Sequence, residues 1–157
     1  MTEQGIRVFN VPLISTLTLN NGFNYSISSL SRSEILLFQI QQIKMQMKLE
    51  DHFTDIALLS KQKSVILCDR GVMDPFILLD SHEWQMVLDD QNWNLVNLRD
   101  RRYDAVIHMT TSAKGAEEYF MNENQEVGGK ELKRAKKAAI EMDEKLRKAW
   151  MGHPHYM

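Results

Sequence analysis

Ser64-Val65-Ile66-Leu67-Cys68-Asp69-Arg70-Gly71 is an apolar run that ends abruptly in charge. Apolar and β-branched residues without polar alternation mark a strand buried on both faces of a parallel sheet. Asp-Arg-Gly at its carboxyl end puts a carboxylate and a guanidinium at the sheet edge where open α/β domains bind ligands. In a nucleotide-binding domain such a carboxylate sits near Mg²⁺ and phosphate. The partner that chemistry needs, a glycine-rich G-x-x-x-x-G-K-[ST] loop, is absent from the 157 residues.

Working outward, a helix-starting pattern precedes the run. Ser31-Arg32-Ser33-Glu34 has capping-box spacing, and Leu36, Ile40, Ile43 and Met47 follow at helical intervals, with Gln and Lys on the other face to about Lys61. Further upstream, residues 6–11 alternate as a short strand closed by Pro12. Downstream, Asp69 to Asp80 is an irregular connection, and Ser81 is placed to cap a helix whose inner face carries Trp84, Val87 and Leu88. Residues 103–109 form a second apolar run and predict a second buried strand. Residues 113–121 predict a helix and residues 122–129 a polar, mobile stretch. A final helix over 130–150 carries Leu132, Ala135, Ala139, Met142, Leu146 and Trp150 in one stripe, stopped by Gly152-His153-Pro154. Strands alternating with helices predict an α/β domain with a mostly parallel sheet, a single unit over residues 1–157.

Composition narrows the function classes. Hydrophobic content of 43%, charged content of 25% and a net charge of −2 are those of a globular domain without a field to recruit nucleic acid. No stretch reaches the roughly 20 apolar residues of a spanning helix, and the polar start at Met1 to Gly5 is not a targeting segment. The single cysteine, Cys68, excludes an internal disulfide and a thiolate metal cluster, and with the missing leader points to the reducing cytoplasm. Cys68 reads as a small buried hydrophobe and the ten methionines, Met45, Met47, Met86, Met109 and Met142 among them, as deformable core packing. The abrupt apolar start predicts a chain that begins inside a domain.

Six ordered segments carry a resemblance: residues 8–12, 19–22, 68–74, 103–108, 115–120 and 149–155, the last with the unusual Trp150-Met151-Gly152-His153-Pro154-His155 ending. Together they resemble the P-loop kinase-like AAA domain of ribosylnicotinamide-kinase-like and TRPL-translocation-defect proteins, from about residue 6 onward. The resemblance implies a three-layer domain whose first, central strand would lie between the strands at 64–68 and 104–109, with a closing strand at the far edge. Both lie outside the predicted elements, as does the strand's phosphate loop, so the fold expected is a partial P-loop kinase-like domain. Three ways to resolve the missing strand follow: a fragment whose N-terminal segment lies elsewhere, a sheet closed directly between the two strands, or a partner chain that completes it. Unpaired backbone groups, if buried, would each cost on the order of 1–3 kcal/mol.

The resemblance also assigns roles. Asp69 would orient Mg²⁺ through water or accept a proton, and Arg70 would neutralise phosphate, the pair otherwise being a vestige that fixes the turn. Asp74 would bind an acceptor or cap the next turn. Asn124 and Gln125 fall in a nucleotide lid, where the family's arginine is replaced here by Gly128; Leu13 replaces a glutamate after Val11-Pro12. Lys133, Arg134, Lys136 and Lys137 on the last helix either meet a phosphoinositide surface or form a solvated face. His108 reads as a satisfied core histidine, and His153 and His155 as a structural terminus. No cofactor is expected for the chain as it stands, with Mg²⁺ and GTP or ATP implied once the phosphate loop is supplied. The function expected is binding or scaffolding by a non-catalytic member, the alternative being the C-terminal part of an active kinase-like or lipid-linked trafficking protein.

Overall fold

The computed structural model describes residues 5–157 apart from 24, 25, 27, 28, 60 and 124–127. Two strands, β1 (Arg7–Val11) and β2 (Ser64–Cys68), pair in parallel with Arg7 opposite Ser64 and Val11 opposite Cys68. The pairing continues past the strand ends, because the Asp69 amide donates to the Val11 carbonyl at 3.0 Å. Both carboxyl ends therefore lie at the same edge, and Asp69 starts there.

The crossover between the strands holds a short helix α1 (Ile14–Asn20) and the long α2 (Arg32–Leu59). The capping box forms as the sequence predicts: the Ser31 amide donates to Glu34 Oε2 at 2.7 Å, and the Glu34 amide to Ser31 Oγ at 3.4 Å. α2 differs from expectation in its faces. Gln39, Gln42, Gln46 and Glu50 are buried beside Ile43, so the inward stripe is part apolar and part amide. Their spacing of three and four residues places them on one side of the helix.

After β2 come a 3₁₀ helix over Asp74–Leu78, then α3 (Ser81–Asp90), α4 (Leu95–Arg99), α5 (Glu117–Glu123) and α6 (Gly129–Trp150). The cap of α3 is Asp80, one residue earlier than predicted. Its carboxylate accepts the Glu83 amide at 2.9 Å while Glu83 Oε2 accepts the Asp80 amide at 2.8 Å. Trp84, Val87 and Leu88 are buried as the periodicity requires, and join Ile43, Val72, Met73, Leu98, Ala149 and Trp150 in one core. The methionines depart from expectation: Met45, Met86, Met109 and Met142 are exposed, and among the described residues only Met73 is fully buried. Met142 sits on the outer side of α6, whose buried positions are Asp143, Leu146, Ala149 and Trp150.

The predicted strand at 103–109 is reduced to a parallel bridge between Val106 and Tyr156. The Val106 amide donates to the His155 carbonyl at 2.9 Å, the His108 amide to the Met157 carbonyl at 2.8 Å, and the Met157 amide back to Val106 at 2.9 Å. Residues 155–157 thus run parallel beside 106–108. The sheet does not close directly, because β2 pairs only with β1 among the described residues. The residues on the open edges are not fully buried, unlike the two-faced burial expected for β2: Ile66 and Cys68 are half-buried, and Ala105 and Ile107 are exposed. No helix among the described residues is long and apolar enough to cross a membrane.

Candidate functional site

The loop after β2 is fastened from three sides. From α2, Gln46 Nε2 donates to the Arg70 carbonyl at 3.2 Å and to Glu50 Oε1 at 2.7 Å. From the 103–109 segment, Tyr103 Oη accepts the Val72 amide at 2.8 Å and donates to Glu50 Oε1 at 2.8 Å. Glu50 is buried, and Arg102 completes it with an ion pair that also reaches Asp51 at 2.6 Å. A buried carboxylate with a guanidinium and two further donors meets the condition under which such a charge is tolerated.

From α6, Trp150 Nε1 donates to Asp74 Oδ1 at 2.8 Å, and the Gly71 amide donates to Asp74 Oδ2 at 2.6 Å. Burial raises the Asp74 pKa above the usual carboxylate range, against the opposing pull of those two donors. Both oxygens are engaged inside the protein, and the Gly71 amide that Asp74 holds belongs to the turn before it; the helix after it has no side-chain cap. Gly71 is required by closeness: a Cβ there would stand 2.7 Å from Trp150 Cζ2 and 2.9 Å from Tyr103 Oη.

Asp69 and Arg70 are the contrast. Both are exposed, and no hydrogen bond or ion pair among the described residues engages either side chain. Arg70 has φ of 73°, a left-handed conformation that costs a non-glycine residue roughly 1–2 kcal/mol. Such strain persists only where surrounding contacts over-determine it, and it clusters at functional sites. Here Gln46, Tyr103 and Asp74 supply that determination.

Two cavities meet at this loop. The larger, about 430 Å³, lies between β2 on one side and Ala105 to Met109 on the other, with Tyr103, Leu146 and Trp150 lining it. Its walls are strand edges. Lys63 and Asp69 bond to β1, so by the period of two Ser64, Ile66 and Cys68 turn their backbone groups toward the cavity. Val106 and His108 bond to residues 155–157, so Ala105 and Ile107 face the same gap from the other side. Asp69 and Arg70 line its end. The smaller cavity, about 270 Å³, lies across the loop and shares Arg70, Gly71 and Asp74 with the first.

A family model described as AAA domain matches residues 16–157. The chain belongs to the AAA domain family. No curated protein and no solved structure matches this AAA domain. Membership gives Asp69 and Arg70 a setting of P-loop NTPase-like ancestry, and the open slot lies immediately beside them.

The remaining predicted residues are dispersed. His108 Nε2 meets the buried Asp143 carboxylate at 3.0 Å, which also accepts the Thr111 amide at 3.1 Å. His153 is buried; its Nδ1 accepts the His155 amide at 3.1 Å, so Nε2 carries the proton donated to the Tyr103 carbonyl at 2.9 Å. Cys68 is half-buried, and burial together with the nearby Glu50 charge pushes its thiol up to about 12. Asn124 and Gln125 lie outside the described residues. On α6, Lys136 reaches Glu117 at 3.6 Å and Lys137 reaches Glu141 at 3.7 Å, while Lys133 and Arg134 are exposed. No group of three metal-ligating side chains occurs among the described residues. Of the residues that hold the loop, Trp150 stood in the closing motif and Tyr103 in a matching segment without a role being given to either, while Gln46 and Glu50 were not singled out; their signal was an amide and an acid four apart beside Ile43 on α2.

Proposed function

We propose that this AAA domain, of the kinase-like kind it resembles in sequence, carries the acceptor side of a nucleotide-dependent phosphotransfer centre. A strand ending in a phosphate-binding loop, supplied from outside the described residues, enters the slot between β2 and residues 105–109 and completes it. The observation that carries this reading is the pair of free charges, Asp69 and strained Arg70, at the end of a slot walled by two unpaired strand edges.

The chemistry follows from the residue types. A new bond forms between an acceptor oxygen and the terminal phosphorus of a nucleoside triphosphate, and the phosphorus bond to the bridging oxygen breaks. Asp69 takes the acceptor's hydroxyl proton and Arg70 neutralises charge on the transferred group, both being matters of position and electrostatics. Mg²⁺ fits this donor set only in part. Asp69 offers one free carboxylate, and magnesium in such sites takes its other ligands from phosphates and water. Bound there, the ion would supply charge neutralisation between the phosphates.

Without the phosphate cradle the chain alone should hold nucleotide too weakly to matter. Thermal unfolding in the presence of Mg²⁺ with GTP or ATP should therefore leave Tm unchanged. Binding at a hundred times Kd would add about 2.7 kcal/mol, a shift of several degrees, and that result would place a phosphate cradle within these residues.

A further inference from the structure

The far wall of the larger cavity carries an imidazole that the phosphotransfer reading does not use. His108 lines that cavity, and its side chain keeps 13% exposure. Its Nε2 lies 3.0 Å from Asp143 Oδ1, a buried carboxylate on α6 that also accepts the Thr111 amide at 3.1 Å. A carboxylate only accepts, so Nε2 carries the proton and Nδ1 of the neutral ring holds the lone pair. No hydrogen bond among the described residues takes that lone pair, and Nδ1 is not shut away from solvent as Gln39 Nε2 and Tyr156 Oη are. The neighbouring histidines differ. His153 has both nitrogens bonded, and His155 commits its Nδ1 to the Asp104 carbonyl at 2.8 Å.

An imidazole fixed through one nitrogen by a carboxylate, with the other nitrogen open, is an oriented nucleophile. His108 is close enough to Asp74 for its charge to act on that carboxyl, which puts it at the edge where the loop after β2 begins. Arg70 is the only Lys or Arg lining the same cavity, and its guanidinium, unengaged among the described residues, suits phosphoryl oxygens. We infer that His108 Nδ1 is a phosphoryl-acceptor site, with Asp143 as its positioning residue. The Nδ1 lone pair forms the bond to phosphorus as the bond to the donor's leaving group breaks, and that group departs with the electron pair. The positive charge the ring gains lies against Asp143, through the Nε2 proton. The phosphotransfer reading passes the group to an acceptor oxygen; this site adds a nitrogen acceptor on the chain itself and does not need the completing strand.

Phosphoramidate, a small donor that releases ammonia on transfer, tests this on the full chain. Mass spectrometry maps the labelled residue and phosphorus NMR assigns the nitrogen. The exposed His52 and His82 serve as internal references. His108 should be labelled through Nδ1, and faster than either reference despite its lower exposure. Asp143→Asn keeps the shape and removes the charge. It should slow His108 about tenfold, the difference between a hydrogen bond to a charged and to a neutral group, and leave His52 and His82 unchanged, which a general loosening of the fold would not do. A comparison in urea needs no variant: there His108 should lose its lead over His52. Linkage through Nε2, labelling no faster than at His52, an unchanged rate in Asp143→Asn, or a lead retained in urea overturns the assignment. Phosphoramidate carries no nucleoside and needs no phosphate cradle, so the result stands apart from the chemistry at Asp69 and Arg70.

Discussion

Gly71→Ala tests how the loop that presents Asp69 and Arg70 is held. Gly71 does not have a positive φ, so alanine is acceptable to the backbone and the penalty is steric. The new Cβ would stand 2.7 Å from Trp150 Cζ2 and 2.9 Å from its Cη2, against an ordinary carbon separation of roughly 3.5–4.0 Å. Overpacking of that size costs about 1–3 kcal/mol. Relief by moving Trp150 would stretch its 2.8 Å hydrogen bond to Asp74, and bonds to charged groups are worth about 1.5–3 kcal/mol. The expected loss is therefore about 2–4 kcal/mol, a large share of a stability of roughly 5–15 kcal/mol. Trp150→Phe removes both clashing atoms and should itself cost about 2–4 kcal/mol in lost bond and cavity. In the double variant the alanine methyl occupies space the indole vacated, so the combined loss should fall short of the sum by at least about 1 kcal/mol. Urea unfolding followed by far-ultraviolet circular dichroism reads all four corners of the cycle. Additivity within about 0.5 kcal/mol, or a Gly71→Ala loss below that figure, would refute this packing.

Three further outcomes follow from the same loop. Arg70→Gly should be more stable than Arg70→Ala by about 1 kcal/mol, because both lose the side chain but only glycine relieves the left-handed backbone; equal midpoints in urea would remove the strain. Cys68, pushed up to about 12 from an ordinary 9.0, should alkylate with iodoacetamide at pH 8 roughly a thousand times more slowly than a free cysteine, and normal reactivity would mean its burial is overstated. Asp74 has a raised folded pKa, so the folded state holds its proton more firmly than the unfolded chain. Its contribution is favourable below the unfolded carboxylate range and declines as pH rises through that range to the raised value. Asp74→Asn should lose this slope, and an unchanged pH dependence of unfolding between pH 3 and ~6 would contradict it.

The elements that were legible in the sequence are those whose signal is local and long. The capping box at Ser31, the periodic faces of α3 and α6, and the unbroken apolar run of β2 each specify themselves. α1 and α4 are short and lack such marks, so they went unseen. The 103–109 run was read from its own residues, whereas a strand needs neighbours; among the described residues only 155–157 supply one, with His155 and Met157 making three backbone hydrogen bonds around Tyr156. Exposed methionines were misjudged because the residue type is apolar whichever way it points. For the site, Asp69 and Arg70 were visible as charge at a strand end. The glutamines of α2 were not, because an amide on a helix has the same appearance in sequence whether it faces water or a buried carbonyl.

Amide hydrogen exchange of the isolated chain, resolved by residue, measures the open slot itself. Val65, Leu67, Val106 and His108 are on the bonded sides of their segments and should be protected, while Ile66, Cys68, Ala105 and Ile107, on the edges that face one another, should exchange far faster. Protection at Ile66 and Ile107 equal to that at Val65 and His108 would mean the two edges are already paired, leaving no place for a completing strand beside Asp69 and Arg70.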